Sequence, residues 1–262
     1  MPKVRVLARL TRLMLVLLLG MLMASVIALG ERLGFKVPTE RRQRWTCLFM
    51  KRLVAALPFK VRVIGERPQK PMLWVSNHVS WTDIPLLGML MPLSFLSKAE
   101  VRQWPLAGWL AEKAGTLFIR RGGGDAQRLR EQISEQLGQA RPLLIFPEGT
   151  TTDGRQLRTF HGRLLAGAID QGVPVQPVAI QYLRGGEADT IAPFIGEDDL
   201  VSHLMRLFGQ PQGEVQIHLL APICSVEKER AALAFQAQQA IQLALFGVEE
   251  AEVTPRRQAR AA

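Results

Sequence analysis

Cysteine is scarce: Cys47 and Cys224 are the only two in 262 residues. They supply neither a metal-ligand spacing nor a disulfide framework, which points to a reduced, cytoplasm-facing domain. Tyrosine occurs once, aromatic residues make up 6% of the chain, and no nucleic-acid-binding motif is present. No H-E-x-x-H run occurs, and no metal site is expected. No G-x-S-x-G elbow occurs either, which weakens any covalent serine route. Gly122-Gly123-Gly124 lacks the P-loop pattern and gives no case for nucleotide binding. There is no internal repeat. Acidic side chains are also in short supply, with 23 Asp and Glu against 33 Lys and Arg, a formal charge of +10 and a pI near 10.4. That imbalance predicts an anionic partner, and with nucleic acid set aside a membrane surface is the better candidate.

The N-terminus carries Lys3, Arg5, Arg9 and Arg12, and then eighteen uncharged residues from 13 to 30. As a helix that stretch spans about 27 Å, near the lower limit for crossing a bilayer. A cleaved signal peptide shares the layout, but the apolar run is long and Ala24-Ser25-Val26-Ile27-Ala28 is a poor cleavage site. A spanning helix puts Arg32, Lys36, Arg41, Arg42 and Arg44 opposite the basic N-terminus. A helix embedded in one leaflet keeps both basic clusters beside anionic headgroups. Residues 41–57 interleave basic side chains with Trp45, Leu48, Phe49, Leu53 and Val54, the pattern of a second amphipathic helix. The chain then divides into a membrane-associated helical segment over 1–57, a catalytic-sized domain over 58–248 and a basic tail over 249–262, expected to be disordered.

Strands are expected over 61–65, 71–75, 93–97, 116–119, 143–146, 173–181 and 215–220. Helices are expected over 84–91, 105–114, 126–137, 197–208 and 226–246, with Asp125 capping the third and a closely packed helical turn near His161. This alternation predicts an α/β fold, a mixed sheet of about seven strands covered by helices on both faces.

Asn77-His78-Val79-Ser80-Trp81-Thr82-Asp83 follows the apolar run Pro71-Met72-Leu73-Trp74-Val75. A strand leading through a polar loop into a helix is where α/β proteins place their chemistry. A histidine such as His78 can take a proton from a hydroxyl. Asp83 is near enough, around one turn, to orient the imidazole. The plain alternative is that Asp83 caps the next helix and His78 is a satisfied loop residue. A second polar cluster, Pro147-Glu148-Gly149-Thr150-Thr151-Thr152-Asp153-Gly154, ends the apolar run Leu143-Leu144-Ile145-Phe146, so two strand ends could build one site.

Four blocks in order resemble those of the 1-acylglycerol-3-phosphate acyltransferase family of glycerolipid acyltransferases. Asn77-His78-x-Ser80-x-x-Asp83 is similar to its H-x-x-x-x-D block, and Gly115-Thr116-Leu117-Phe118-Ile119-Arg120 to its G-x-x-F-I-x-R block. Phe146-Pro147-Glu148-Gly149-Thr150 matches F-P-E-G-T, and Val173-Pro174-Val175-Gln176-Pro177-Val178 resembles V-P-x-x-P-V. The resemblance spans roughly residues 60 to 222. It implies transfer of a fatty acyl group from acyl-CoA or acyl-carrier protein to a lysolipid hydroxyl at a bacterial inner membrane, on its cytoplasmic side. Neither a metal nor a cofactor is implied.

By the same resemblance His78 and Asp83 are the base dyad, Arg120 binds the acceptor's headgroup, and Glu148, Gly149 and Thr150 bind the acceptor. Lys98 becomes a candidate for an anionic group, with a solvated loop lysine as its equal alternative, and His161 reads as structural. Many family members continue F-P-E-G-T with Arg, whereas Thr151 stands here. That departure removes a phosphate-binding charge. Lysophosphatidate is the first expectation for the acceptor, with lyso-ornithine lipid or another lysophospholipid as alternatives. From other classes, a non-catalytic lipid-binding protein and a thioester hydrolase remain open.

Overall fold

A computed structural model describes residues 2–35, 37–103, 107–113, 116–119 and 126–247. In chain order it contains α1 (Pro2–Arg32), α2 (Thr39–Ala56), β1 (Phe59–Ile64), β2 (Leu73–Ser76), α3 (Asp83–Gly88), β3 (Ser94–Lys98), α4 (Ala107–Lys113) and β4 (Leu117–Ile119). These are followed by α5 (Ala126–Gly138), β5 (Leu143–Ile145), α6 (Ala166–Asp170), β6 (Val175–Arg184), β7 (Glu187–Ala188), α7 (Leu200–Gly209), β8 (Gly213–Leu219) and α8 (Arg230–Phe246). Short 3-10 turns cover Ala99–Gln103 and Gly162–Leu165.

The sheet has the order β1-β8-β6-β2-β5-β3-β4, with β7 hairpinned onto β6. It is mixed: β6, β2, β5, β3 and β4 run parallel, while β8 is antiparallel to β6 and carries β1 parallel to itself. The sheet thus has eight strands rather than about seven, because β7 is a two-residue pairing with no apolar run to announce it. Strands β2 and β5 are buried along their whole length, as interior parallel strands covered on both faces must be, and their uninterrupted apolar sequence follows from that.

Successive side chains of these strands enter different cores. Trp74 and Leu144 pack with residues of α2, α3 and α7. Leu73, Val75, Leu143 and Ile145 pack with Ile133 of α5, Ala168 of α6 and Leu233 and Ile241 of α8. Gly167 permits α6 to lie on α5, since a Cβ there would stand 2.7 Å from Ile133 Cγ2. Leu13 of α1 belongs to the first core beside Met50 and Val54 of α2.

Several boundaries move from their expected places for local reasons. The helix expected over 84–91 is α3, only six residues long. The strand expected to end at 181 continues to Arg184, where it turns back into β7. The helix expected from 197 starts at Leu200, because the Asp199 side chain accepts from the Val201 and Ser202 amides and fixes the start there. The one expected from 226 starts at Arg230. Gly115, the triglycine, Asp125 and the tail from 249 lie outside the described residues.

Candidate active site

Because β2, β5, β3 and β4 are parallel neighbours, their C-terminal ends share one edge of the sheet. His78 follows β2, Glu148 follows β5, and Lys98 closes β3 on that edge. Arg120 follows β4 in sequence but lies outside the described residues.

The loop between β2 and α3 folds around a single carboxylate. Asp83 is fully buried, and its Oδ2 lies 2.7 Å from His78 Nδ1. The same oxygen accepts from the Val79 amide at 2.7 Å and the Ser80 amide at 2.9 Å. Oδ1 accepts from the Tyr182 hydroxyl, which lies 2.7 Å from Thr82 Oγ1. Asp83 therefore does not cap α3. It gathers the amides of the loop before it, and that wrapping brings His78 back onto the carboxylate.

An imidazole nitrogen facing an ionised carboxylate carries the ring proton, which leaves the Nε2 lone pair as the one available for chemistry. The His78 side chain retains 17% exposure while Asp83 has none. The ring lies flat on Phe146, with centroids 3.9 Å apart and planes 10° from parallel. Ser80 is buried, and its Oγ has no hydrogen-bond partner among the described residues. The serine therefore makes no hydrogen bond to the histidine that a covalent route would need.

Glu148 joins the two motif loops. Its Oε1 accepts from the His78 amide at 2.8 Å and its Oε2 from the Arg158 amide at 2.9 Å. Burial pushes its carboxyl above the usual glutamate range, opposed by these two hydrogen bonds and by His78. Gly149 takes a left-handed φ of 70° in the turn and donates its amide to Phe146 O at 3.0 Å, a conformation that favours glycine. Thr150 is half-buried beside it. Thr152 returns to the first loop, its amide reaching His78 O at 2.8 Å. Thr151 Oγ1 donates to Phe194 O, and the Phe194 amide reaches Val79 O at 2.9 Å. Where the family often carries a guanidinium, a short hydroxyl is spent on the backbone.

Sequence reasoning missed the supports. Asn77 clamps the end of β2 to β6 through both side-chain atoms, Nδ2 to Ile180 O at 2.9 Å and Oδ1 from Ile180 N at 2.8 Å. Trp81 Nε1 donates to His203 Nδ1 at 3.0 Å, and His203 Nε2 lies 3.1 Å from Ile191 O and 3.2 Å from Pro193 O. Tyr182 did carry a signal, being the only tyrosine in the chain. His161 is exposed and precedes the Gly162–Leu165 turn. Among the described residues, no cluster of His, Cys, Asp and Glu could hold a metal ion.

A sheet edge with a carboxylate-held histidine and a second carboxylate beside it is an arrangement that can move a proton, and comparisons with known proteins show the class of the chain. A family model described as Acyltransferase matches residues 59–181. A lyso-ornithine lipid O-acyltransferase of Pseudomonas aeruginosa is 62% identical over 247 residues, covering 94% of this chain and 96% of that protein. A 1-acyl-sn-glycerol-3-phosphate acyltransferase of Neisseria meningitidis is 30% identical over 193 residues, covering 72% of this chain and 76% of that one. The crystal structure of a 1-acyl-sn-glycerophosphate acyltransferase from Thermotoga maritima shares the fold, with a TM-score of 0.62 at 21% identity over 94% of this chain and all of that one. The chain belongs to the glycerolipid acyltransferase family and is an acyltransferase.

Proposed function

We propose that this acyltransferase completes a lyso-ornithine lipid, moving a fatty acyl group from acyl-CoA or acyl-carrier protein onto the lipid's free hydroxyl. The observation that carries this acceptor is the 62% identity across nearly both whole chains to a protein named for that reaction. The 30% identity to a protein named for 1-acylglycerol-3-phosphate is far lower. Thr151, whose hydroxyl is bound to Phe194 O, points the same way because it brings no charge to a phosphate. Lysophosphatidate, the first expectation from sequence, becomes the second reading.

His78 Nε2 takes the proton from the acceptor hydroxyl as that oxygen attacks the thioester carbonyl. The resulting imidazolium is held by Asp83 through Nδ1, where the distance is 2.7 Å. The C–S bond then breaks, and the departing thiolate takes the proton back from His78, leaving an ester and a thiol. Glu148 sets the position of His78 through its amide, and Gly149 and Thr150 shape the acceptor's approach. Lys98, at the end of β3, and Arg120, which follows β4 in sequence, are the proposed contacts for anionic groups. The acyl donor is a substrate, and this scheme needs no metal.

Residues 1–57 seat the site on the membrane in this reading, and residues 58–248 carry the chemistry. Helix α1 is long and apolar enough to cross a bilayer by length and composition, yet its packing favours a position in one leaflet. Leu13, Ala24 and Ile27 are buried along one side, and Arg9 Nη1 donates to Phe208 O at 2.7 Å and Gln210 O at 2.6 Å at the end of α7. The opposite side exposes Leu7, Leu15, Leu18, Leu22, Val26 and Leu29, the stripe of a helix lying in an interface. The basic residues then meet anionic headgroups on the cytoplasmic face, where acyl thioesters are found.

The test is acyl transfer from labelled acyl-CoA and acyl-carrier protein to lyso-ornithine lipid and lysophosphatidate, with His78→Ala as control. His78-dependent product with lyso-ornithine lipid is the expected result. Product with lysophosphatidate alone would move the enzyme to phosphatidate synthesis. Donor consumption without any acceptor would identify a hydrolase, and no turnover at all a lipid-binding protein.

A further inference from the structure

The strap from Thr152 to Arg158 is tied to the site at both ends. Thr152 donates its amide to His78 O at 2.8 Å, and the Arg158 amide donates to Glu148 Oε2 at 2.9 Å. Between them Gly154 sits over Val79, with the position of a Cβ only 3.3 Å from Val79 Cγ2. The backbone of this strap therefore lies against the loops of His78 and Glu148, and it carries exposed side chains. Three of them are charged and exposed: Asp153, Arg155 and Arg158.

The carboxylates of this region differ in what they have left to give. Asp83 is buried under four donors, and Glu148 is buried between two backbone amides. Asp153 uses Oδ1 to accept from the Arg155 amide at 3.0 Å. Its Oδ2, and the guanidiniums of Arg155 and Arg158, have no partner among the described residues. The strap thus carries one carboxylate with an oxygen to spare and two guanidiniums without partners among the described residues.

We propose that this strap is the headgroup subsite, with Asp153 as the counter-charge for the acceptor's ammonium and Arg155 and Arg158 facing its carboxylate. The inference rests on the lyso-ornithine reading and deepens it: a free ornithine side chain ends in an ammonium, and its α-carboxyl is ionised. A phosphate monoester could still meet Arg155 and Arg158 but offers no cation to Asp153, so Asp153 is the position that separates the two headgroups. Thr151 withholds a positive charge and Asp153 supplies a negative one, which together suit a headgroup that carries an ammonium as well as an anion.

The full-length protein is assayed with lyso-ornithine lipid and with the same lipid acetylated on its δ-nitrogen, which removes the ammonium and keeps the hydroxyl. The readout is the ratio of kcat/KM for the free over the acetylated acceptor. Wild type should favour the free amine about fivefold, the size an exposed ion pair supports. In Asp153→Asn, which keeps the oxygen that holds the Arg155 amide, the ratio should fall to near one through KM. Asp153→Glu should restore most of it, and Asp153→Lys should push it below one. A wild-type ratio near one, or an Asp153→Asn ratio equal to wild type, overturns the assignment while leaving the acceptor reading intact. Wild-type transfer to lysophosphatidate with none to lyso-ornithine lipid overturns both.

Discussion

Tyr182, ninety-nine residues downstream of Asp83, donates its hydroxyl to the Asp83 carboxylate in the centre of the protein. The tyrosine is fully enclosed, and burial first, then the neighbouring carboxylate, holds its phenol well above the ordinary value. It is therefore a permanent neutral donor. β6 brings this hydroxyl to the far side of the carboxylate that the loop from 77 to 83 wraps.

Replacing Tyr182 with Phe keeps the ring in place and removes that donor. Asp83 Oδ1 then has no hydroxyl, and Thr82 loses its partner. We expect about 2 kcal/mol lower stability, in the range for a hydrogen bond to a charged group. kcat should fall about tenfold with KM little changed, as expected when only the held base is disturbed. Denaturant unfolding and steady-state kinetics check both. A full loss of KM saturation would mean that Tyr182 touches substrate instead.

His78→Ala should behave differently. Asp83 still accepts from the Val79 and Ser80 amides at 2.7 and 2.9 Å and from Tyr182, so the loop keeps its shape. Transfer should drop at least about 10³-fold, within the range for removing a general base, while the melting temperature stays within a few degrees. Thioester-dependent transfer equal to wild type would remove His78 from the mechanism.

The fold was legible because its strands obey their burial: the apolar runs at 73–75 and 143–145 are interior parallel strands, and β8 alternates between buried and half-buried positions. The contact between His78 and Asp83 was legible as a local one, five residues apart on one turn. What sequence could not supply were contacts set by topology. Nothing near Asn77 announces Ile180, and nothing near Trp81 announces His203, because each pairing depends on which strand or helix lies alongside. The short length of α3 was hidden for another reason: apolar residues continue past Gly88, since the segment that follows is buried without being helical.

Glu148 gives the enzyme a pH signature. Burial raises its carboxyl in the folded protein above the ordinary glutamate value of 4.5. A raised acid contributes stability that is complete below that ordinary value and is lost as pH rises through the folded one. In Glu148→Gln this loss disappears. The melting temperature of the variant relative to wild type should therefore climb between about pH 4 and pH 7.5, although its activity is lower. A difference that falls over this interval would show that the carboxylate is stabilised as the anion by its two amide donors.

Deleting α1 should not simply release a soluble enzyme. Leu13 is part of the first core, and Val6, Leu10, Val16 and Leu17 pack against it. Removing residues 1–37 exposes that face at a cost on the order of 5 kcal/mol. Thermal unfolding in detergent should show a large drop for the truncated chain. An unchanged melt would mean that α1 leaves the domain when it enters lipid.

His203 supplies the last prediction. It is buried on α7, and burial, reinforced by Arg206 and opposed by Asp198, holds its imidazole below the ordinary value of 6.5. Because the Trp81 indole donates to Nδ1 at 3.0 Å, the ring proton sits on Nε2 and points at the Ile191 and Pro193 carbonyls. A second proton would set an N–H against the indole N–H. The unfolded chain binds that proton near pH 6.5 while the folded protein resists it, so the stability from this residue is complete above 6.5 and is lost as pH falls toward the folded value. The melting temperature of His203→Gln, which cannot take the proton, should therefore rise relative to wild type as pH falls from about 7.5 to 5. Activity should fall with the same acid limb, because Trp81 lies in the loop that holds His78 on Asp83. If the variant's melting curve and activity decline in parallel with wild type, another acid-sensitive group governs the loop and His203 is only a packed ring.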